Sequence, residues 1–142
     1  MKKYKIYFAC SISGEQGGKA DKQLIVDILK KLKQDILSEI YINYDAQTEK
    51  NKKESDAEIY KISMDWIKDA NLIVADVNKI SLGVGYEIGW SIRDGKKVIA
   101  LCKKERWESL SPMIKGITDS NFKLYAWSDQ KNLERIFIKE LG

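Results

Sequence analysis

Histidine is absent from all 142 residues. That absence excludes His-centred catalytic triads, His-ligated metals and imidazole acid–base chemistry. Cysteine occurs twice, at Cys10 and Cys102, too few for a disulfide scaffold or a cysteine-only zinc site. Both lie in apolar runs (IYFAC and VIALC) and are expected to be buried and unreactive. The one proline, Pro112, leaves strand interiors unbroken. No apolar run approaches the roughly 20 residues that span a bilayer. The start MKKYKIYFAC is basic but has no processing site, so a soluble cytoplasmic chain without a membrane partner is expected. Neither a G-x-G-x-x-G fingerprint nor a G-x-x-x-x-G-K-[ST] loop occurs, which leaves dinucleotides and nucleoside triphosphates without support.

What is present is one domain's worth of chain, expected to span 1–142. A mass of 16.3 kDa is enough for one core and too small for two. Lys and Arg number 25 against 21 Asp and Glu, a net charge of +4. Spread among so many acids, the excess does not call for a nucleic-acid partner. Any chemistry therefore rests on carboxylates, hydroxyls, thiols, lysine, arginine and backbone amides.

Hydrophobic spacing orders the chain. Lys5–Cys10, Glu39–Tyr44, Leu72–Val77, Val98–Cys102 and Phe122–Trp127 read as strands. Lys22–Leu37, Asp56–Asp69, Tyr86–Ile92 and Leu133–Leu141 read as helices, with one further turn at Pro112–Lys115. Asp45–Ser55 is a polar, lysine-bearing excursion and Ser81–Gly85 a glycine-containing loop. Strands alternating with helices over short connections predict an α/β three-layer sandwich, Rossmann-like, with a mainly parallel five-stranded sheet.

Such sheets bind ligands beyond the carboxyl ends of their strands. Two loops there are rich in hydroxyls and glycine, one with Ser11, Ser13 and Gly14, the other with Ser81 and Gly83. Their amides and hydroxyls suit an oxyanion such as phosphate. Glu87 follows SLGVGY at this mouth, where amides at a helix start are expected to keep it ionised. Its chemistry is that of a nucleophile on a sugar carbon or a partner for an oxocarbenium-like centre. Tyr7 lies in the first strand; Asp65 and Asp76 are further acids, and Asp76 suits loop capping.

Several of these runs occur together in one known family. Ile6–Gly14 (IYFACSISG) resembles the opening I/V-Y-F-x-G-S-I-R-G of 2'-deoxynucleoside 5'-phosphate N-hydrolases, which belong with the nucleoside 2-deoxyribosyltransferases. Ala70–Val77 (ANLIVADV) is similar to A-D-x-V-V-A-E-V, and Ser81–Gly89 (SLGVGYEIG) to S-L-G-V-G-Y-E-L-G. Leu110–Gly116 (LSPMIKG) resembles L-S-x-M-I-R-G. Order and spacing agree along nearly the whole chain.

The resemblance implies a homodimer with a shared active site that releases free base and 2-deoxyribose 5-phosphate from a 2'-deoxynucleoside 5'-monophosphate, without a cofactor or metal. By position, Glu87 matches the nucleophile and Tyr7 the tyrosine beside it. Ser11, Ser81 and the amides around Gly83 match phosphate contacts, and Ser111 and Met113 match residues reaching in from the other subunit. Two positions depart from the pattern. Ser13 replaces an arginine, removing a charge-assisted phosphate contact that Lys19 is a candidate to replace. Ser63 replaces the aspartate that partners the glutamate. Asp65 lies two residues on, about 200° around a helix, and is expected to point away. The alternatives are thus a deoxyribosyltransferase, or a catalytically weakened nucleotide-binding or sensing domain.

Overall fold

The computed structural model describes residues 1–11, 18–39 and 53–142. Ser13, Gly14, the expected strand beyond Glu39 and most of the polar excursion lie outside the described residues. Five strands, β1 (Lys5–Ala9), β2 (Asp35–Ile36), β3 (Leu72–Asp76), β4 (Lys97–Lys103) and β5 (Phe122–Trp127), form one sheet in the order β2-β1-β3-β4-β5. Every pairing is parallel. Among the described residues, five α-helices accompany them: α1 (Gly18–Lys31), α2 (Asp56–Asp69), α3 (Leu82–Arg93), α4 (Pro112–Lys115) and α5 (Gln130–Leu141), with a 3-10 turn over Lys104–Ser109.

Strand alternation divides the side chains between two cores. Ile6, Phe8, Leu72, Val74, Ile99 and Leu101 pack with α1 and α5. Tyr7, Ala9, Ile73, Ala75, Val98 and Ala100 pack with α2 and α3. Both faces are covered, as an all-parallel sheet requires, and the three layers match the expected sandwich. The chain leaves β1 toward β2 on one side and later returns to β3 on the other. The carboxyl ends of β1 and β3 therefore flank a topological switch point, where such sheets carry their ligands.

Helices α1 and α5 start earlier than expected, at Gly18 and Gln130 rather than Lys22 and Leu133, and two further boundaries differ. The first helix stops at Lys31, six residues before the expected Leu37. Lys33 adopts φ 63°; its N–H donates to Lys30 O at 2.9 Å, and that of Gln34 to Leu29 O at 3.0 Å. This is a Schellman stop built on lysine, where glycine is the usual signal. Gln34 then ties the turn down, accepting from Tyr4 N at 2.7 Å and donating to Lys2 O at 3.0 Å. The second strand consequently lies at Asp35–Ile36. Ser38 extends its pairing by side chain, accepting from Phe8 N at 2.9 Å and donating to Phe8 O at 3.2 Å.

The second boundary bears on chemistry. Ser81 is the N-cap of α3, accepting from Val84 N at 3.2 Å, so the helix begins at Leu82 and not at Tyr86. Glycine at positions 83 and 85 disguised its first turn. The far end matches expectation, closing through Gly95 at φ 79°.

Because left-handed backbone strains a residue with a Cβ by about 1 kcal/mol, Lys33→Gly is expected to stabilise the fold by up to that amount. A higher urea midpoint at unchanged slope is the readout; Lys33→Val should lower it.

Candidate active site

Tyr7 leaves β1 on the α2/α3 face and donates its phenolic hydrogen to Glu87 Oε2. Glu87 is the sixth residue of α3, which moves it out of the first turn where the sequence reading placed it. Helix amides do not hold it ionised. Burial instead pushes its carboxyl up to about 7, and only the hydrogen bond from Tyr7 works the other way. Tyr7 is raised well above its ordinary range, chiefly by burial and then by the Glu87 charge, so it stays protonated and keeps donating.

Ser63 joins this pair. From α2, its side chain favours the Tyr7 phenolate, a lesser pull against the burial that raises Tyr7. The hydrogen bond from Tyr7 to Glu87 thus joins β1 to α3, with Ser63 of α2 beside it. Asp65 stays apart, exposed and paired with Lys61 Nζ at 2.7 Å, and that hydrogen bond lowers its pKa. The helical-wheel expectation holds, and the structure does not bring Asp65 to Glu87.

Around the same switch point, Ser11 is buried and its carbonyl accepts from Lys22 Nζ. Lys22 is only 3% exposed, a buried cation that the sequence reading passed over as one of many helical lysines. Asp76, at the end of β3, accepts from Asn78 N at 2.9 Å, the capping role expected of it. Burial raises its pKa to about 6 against the opposing pull of that bond and of Lys22. Cys10 is half-buried rather than buried as expected, lies in the electrostatic range of Lys22, Asp76 and Glu87, and has its thiol pKa raised by burial. Cys102 is buried. Lys19, the candidate replacement cation, is exposed.

The Ser81 oxygen accepts from Val84 N as the cap of α3. The N–H groups of Leu82 and Gly83, in the first turn of α3, have no acceptor within the helix. Ser111 is exposed and caps α4, accepting from Met113 N at 3.1 Å, and Met113 is 81% exposed. Ser81, Ser111 and Met113 share a cleft of about 490 Å³, whose lining includes Gly85, Tyr86 and Gly89 but not Glu87, Tyr7 or Ser63. Tyr60 and Tyr86 also join α2 to α3, their hydroxyls 2.6 Å apart. Among the described residues, no group of three His, Cys, Asp or Glu side chains is placed to hold a metal ion. No helix among them is long and apolar enough to cross a membrane.

The nucleoside 2-deoxyribosyltransferase family profile matches residues 6–126. The chain belongs to this family. A 5-hydroxymethyl-dUMP N-hydrolase of Danio rerio is 36% identical over 114 residues, covering 78% of this chain and 77% of that protein. The enzyme of the same name from Rattus norvegicus is 32% identical over 141 residues, covering 93% and 83%. Among solved structures, the CMP N-glycosidase BcmB of Clostridium botulinum superposes with a TM-score of 0.69, at 22% identity, over 99% of this chain and 100% of that one. That likeness supports the deoxyribosyltransferase-type fold.

A carboxyl whose folded pKa stands near 7 against 4.5 unfolded favours the folded state while protonated. That stability is full below pH 4.5 and is lost as pH rises through 7. Glu87→Gln is therefore expected to stabilise the protein at pH 8 by roughly 1–3 kcal/mol and to change little at pH 4. Denaturation midpoints at the two pH values test this; equal shifts at both would remove the buried-acid account.

Proposed function

We propose that this deoxyribosyltransferase-family protein is an N-glycosidase hydrolysing 2'-deoxynucleoside 5'-monophosphates to free base and 2-deoxyribose 5-phosphate. The observation that carries the reading is the hydrogen bond from Tyr7 to the Glu87 carboxyl, between β1 and α3. A half-buried carboxylate fixed by one donor suits attack at a sugar carbon. Curated relatives named as hydrolases of a deoxynucleoside monophosphate supply the substrate class.

In the proposed reaction one Glu87 oxygen bonds to C1' as the C1'–N bond breaks. The base leaves with the bonding pair and takes a proton from solvent. Water then attacks C1' of the glycosyl ester, giving up a proton and freeing the Glu87 carboxylate. Tyr7 holds Glu87 and keeps part of it ionised near neutral pH. The 2-deoxy sugar tolerates positive charge at C1' because no electron-withdrawing 2'-hydroxyl opposes it. Ser11, Ser81 and the free amides of Leu82 and Gly83 receive the phosphate.

The arrangement also favours a homodimer. Ser111 and Met113 line a cleft that Glu87, Tyr7 and Ser63 do not line, which suits their serving the site of a second copy. The exposed apolar side chains of Ile80, Leu82 and Met113 suit that contact. A second reading, nucleotide binding with little turnover, is favoured by one observation. Serine at position 63 cannot donate a proton to a departing base as an aspartic acid does.

Incubation with each deoxynucleoside monophosphate, with chromatography of released base, separates the two. Base release is expected in the parent protein, with loss of about a thousandfold or more in Glu87→Gln on the scale of a lost catalytic group. Ser63→Asp should accelerate release roughly tenfold or more. Tight binding with no release from either protein would favour the binding domain. For the dimer, Met113→Glu is expected to shift sedimentation toward monomer and lower activity together; unchanged sedimentation would remove the shared site.

A further inference from the structure

Helix α2 packs on the sheet through its carboxyl-terminal half. Tyr60, Ser63, Met64 and Ile67 recur at the spacing of one helical face. Met64 and Ile67 are buried, Ser63 is half-buried and Tyr60 is 52% exposed. The grip on this face therefore weakens toward the amino end, and residues 55–58 ahead of it are exposed. There Ser55 and Glu58 form a capping box, Glu58 N donating to Ser55 Oγ at 3.2 Å and Ser55 Oγ to Glu58 Oε1 at 3.1 Å. That cap is internal to the helix.

Helix α3 supplies a hold at this point. Tyr86 meets Tyr60 with ring centroids 5.9 Å apart and planes tilted by 59°, and the two hydroxyls lie 2.6 Å apart. Both side chains are about half exposed, and neither belongs to the two cores that cover the sheet. Tyr86 directly precedes Glu87, and Tyr60 stands one turn before Ser63. The contact thus joins the two helices that flank the Tyr7–Glu87 bond, at a level the core does not reach. One exposed hydrogen bond is too weak to decide whether the chain folds. It is strong enough to decide how often the start of α2 leaves α3.

We propose that Tyr60 and Tyr86 are positioning residues whose paired side chains clamp the amino-terminal half of α2 to α3 and so hold Ser63 at the Tyr7–Glu87 bond. Neither touches a reacting atom. The inference rests on the N-glycosidase reading only for its effect on turnover; the clamp itself is tested without substrate.

Hydrogen exchange on the full chain reads the clamp. Amides of residues 59–63 should exchange about tenfold faster in Tyr60→Ala and in Tyr86→Ala, with residues 64–69 within about twofold of the parent. Alanine is the better helix former, so faster exchange reports the lost contact and not lost propensity. Tyr60→Phe keeps the ring without the hydroxyl and should fall between, and the double alanine variant should match either single one. Carbon-13 titration of the Glu87 carboxyl, identified by its loss in Glu87→Gln, reads the place of Ser63. Tyr7 faces that carboxyl from β1 and Ser63 from α2, with the Cys10 thiol in electrostatic range and Asp65 turned away on Lys61. Ser63→Ala should raise the Glu87 midpoint by a few tenths of a pH unit, because Tyr7 becomes a weaker donor. Tyr60→Ala should raise it equally, and the two together no further.

In base-release assays, Tyr60→Ala should lower kcat about threefold or more with KM within about twofold, and should not lower Ser63→Ala further. A merely structural pair would add its loss to that of Ser63→Ala. Unchanged exchange over 59–63, a Glu87 midpoint unmoved in Tyr60→Ala, or effects that add to Ser63→Ala would overturn the proposal. A parent that shows the exchange and titration effects yet releases no base would sustain it and overturn the N-glycosidase reading instead.

Discussion

The hydrogen bond from Tyr7 to Glu87 sets the terms for the surrounding structure. It joins the interior strand β1 to the middle of α3, so it requires the register of one and the rotation of the other. A one-residue slip of β1 would turn Tyr7 into the α1/α5 core and leave Glu87 buried without a donor. The fold prevents that slip by pairing β1 on both sides, with β2 and with β3. A carboxyl raised to about 7 costs stability once ionised at neutral pH. The tyrosine reduces that cost without removing it, so the acid stays half poised between its two forms, as a group that must bond to carbon and then leave again requires.

The sheet separates reactive groups from the groups that support them. On the α2/α3 face lie Tyr7, Glu87 and Ser63. On the α1/α5 side of the carboxyl edge lie Lys22, Asp76 and the pair of Lys103 with Asp21, whose charged atoms are 3.1 Å apart. Only the top edge, where β1 and β3 diverge, is open to both. Strand alternation alone accomplishes this division, because Tyr7 and Cys10, three residues apart, point to opposite faces. The second set can thus shape the loops and the potential of the site without occupying it.

Much of this was legible in the sequence because it rests on local chemistry. Apolar runs located four of the five strands, and the order of motifs placed Tyr7 and Glu87 at one mouth. The end of α1 was not legible, since lysine at φ 63° carries no stop signal and only Gln34 and the neighbouring β1 make that turn worthwhile. The start of α3 was hidden because glycines 83 and 85 read as loop, whereas Ser81 capping overrides their low helix propensity. Lys22 was invisible for another reason. A lysine's role depends on what its four-carbon stem reaches, and here it reaches the Ser11 carbonyl at the end of another element. Asp65 was the opposite case: helical geometry alone predicted that it points away from the site.

The placement of Ser63 narrows what this site can do. Its hydroxyl reaches Tyr7, so the position faces the reactive pair even though the residue is not an acid. By favouring negative charge on the Tyr7 oxygen it works in the direction that makes Tyr7 a better donor to Glu87. An aspartate there would add a proton donor but also a second negative charge near Glu87, pushing that carboxyl higher still. Serine therefore exchanges help for the departing base against a more readily ionised nucleophile. In the proposed reaction that exchange shifts the burden onto the base, so electron-poor bases, which carry negative charge well as they leave, should suffer least from the missing acid.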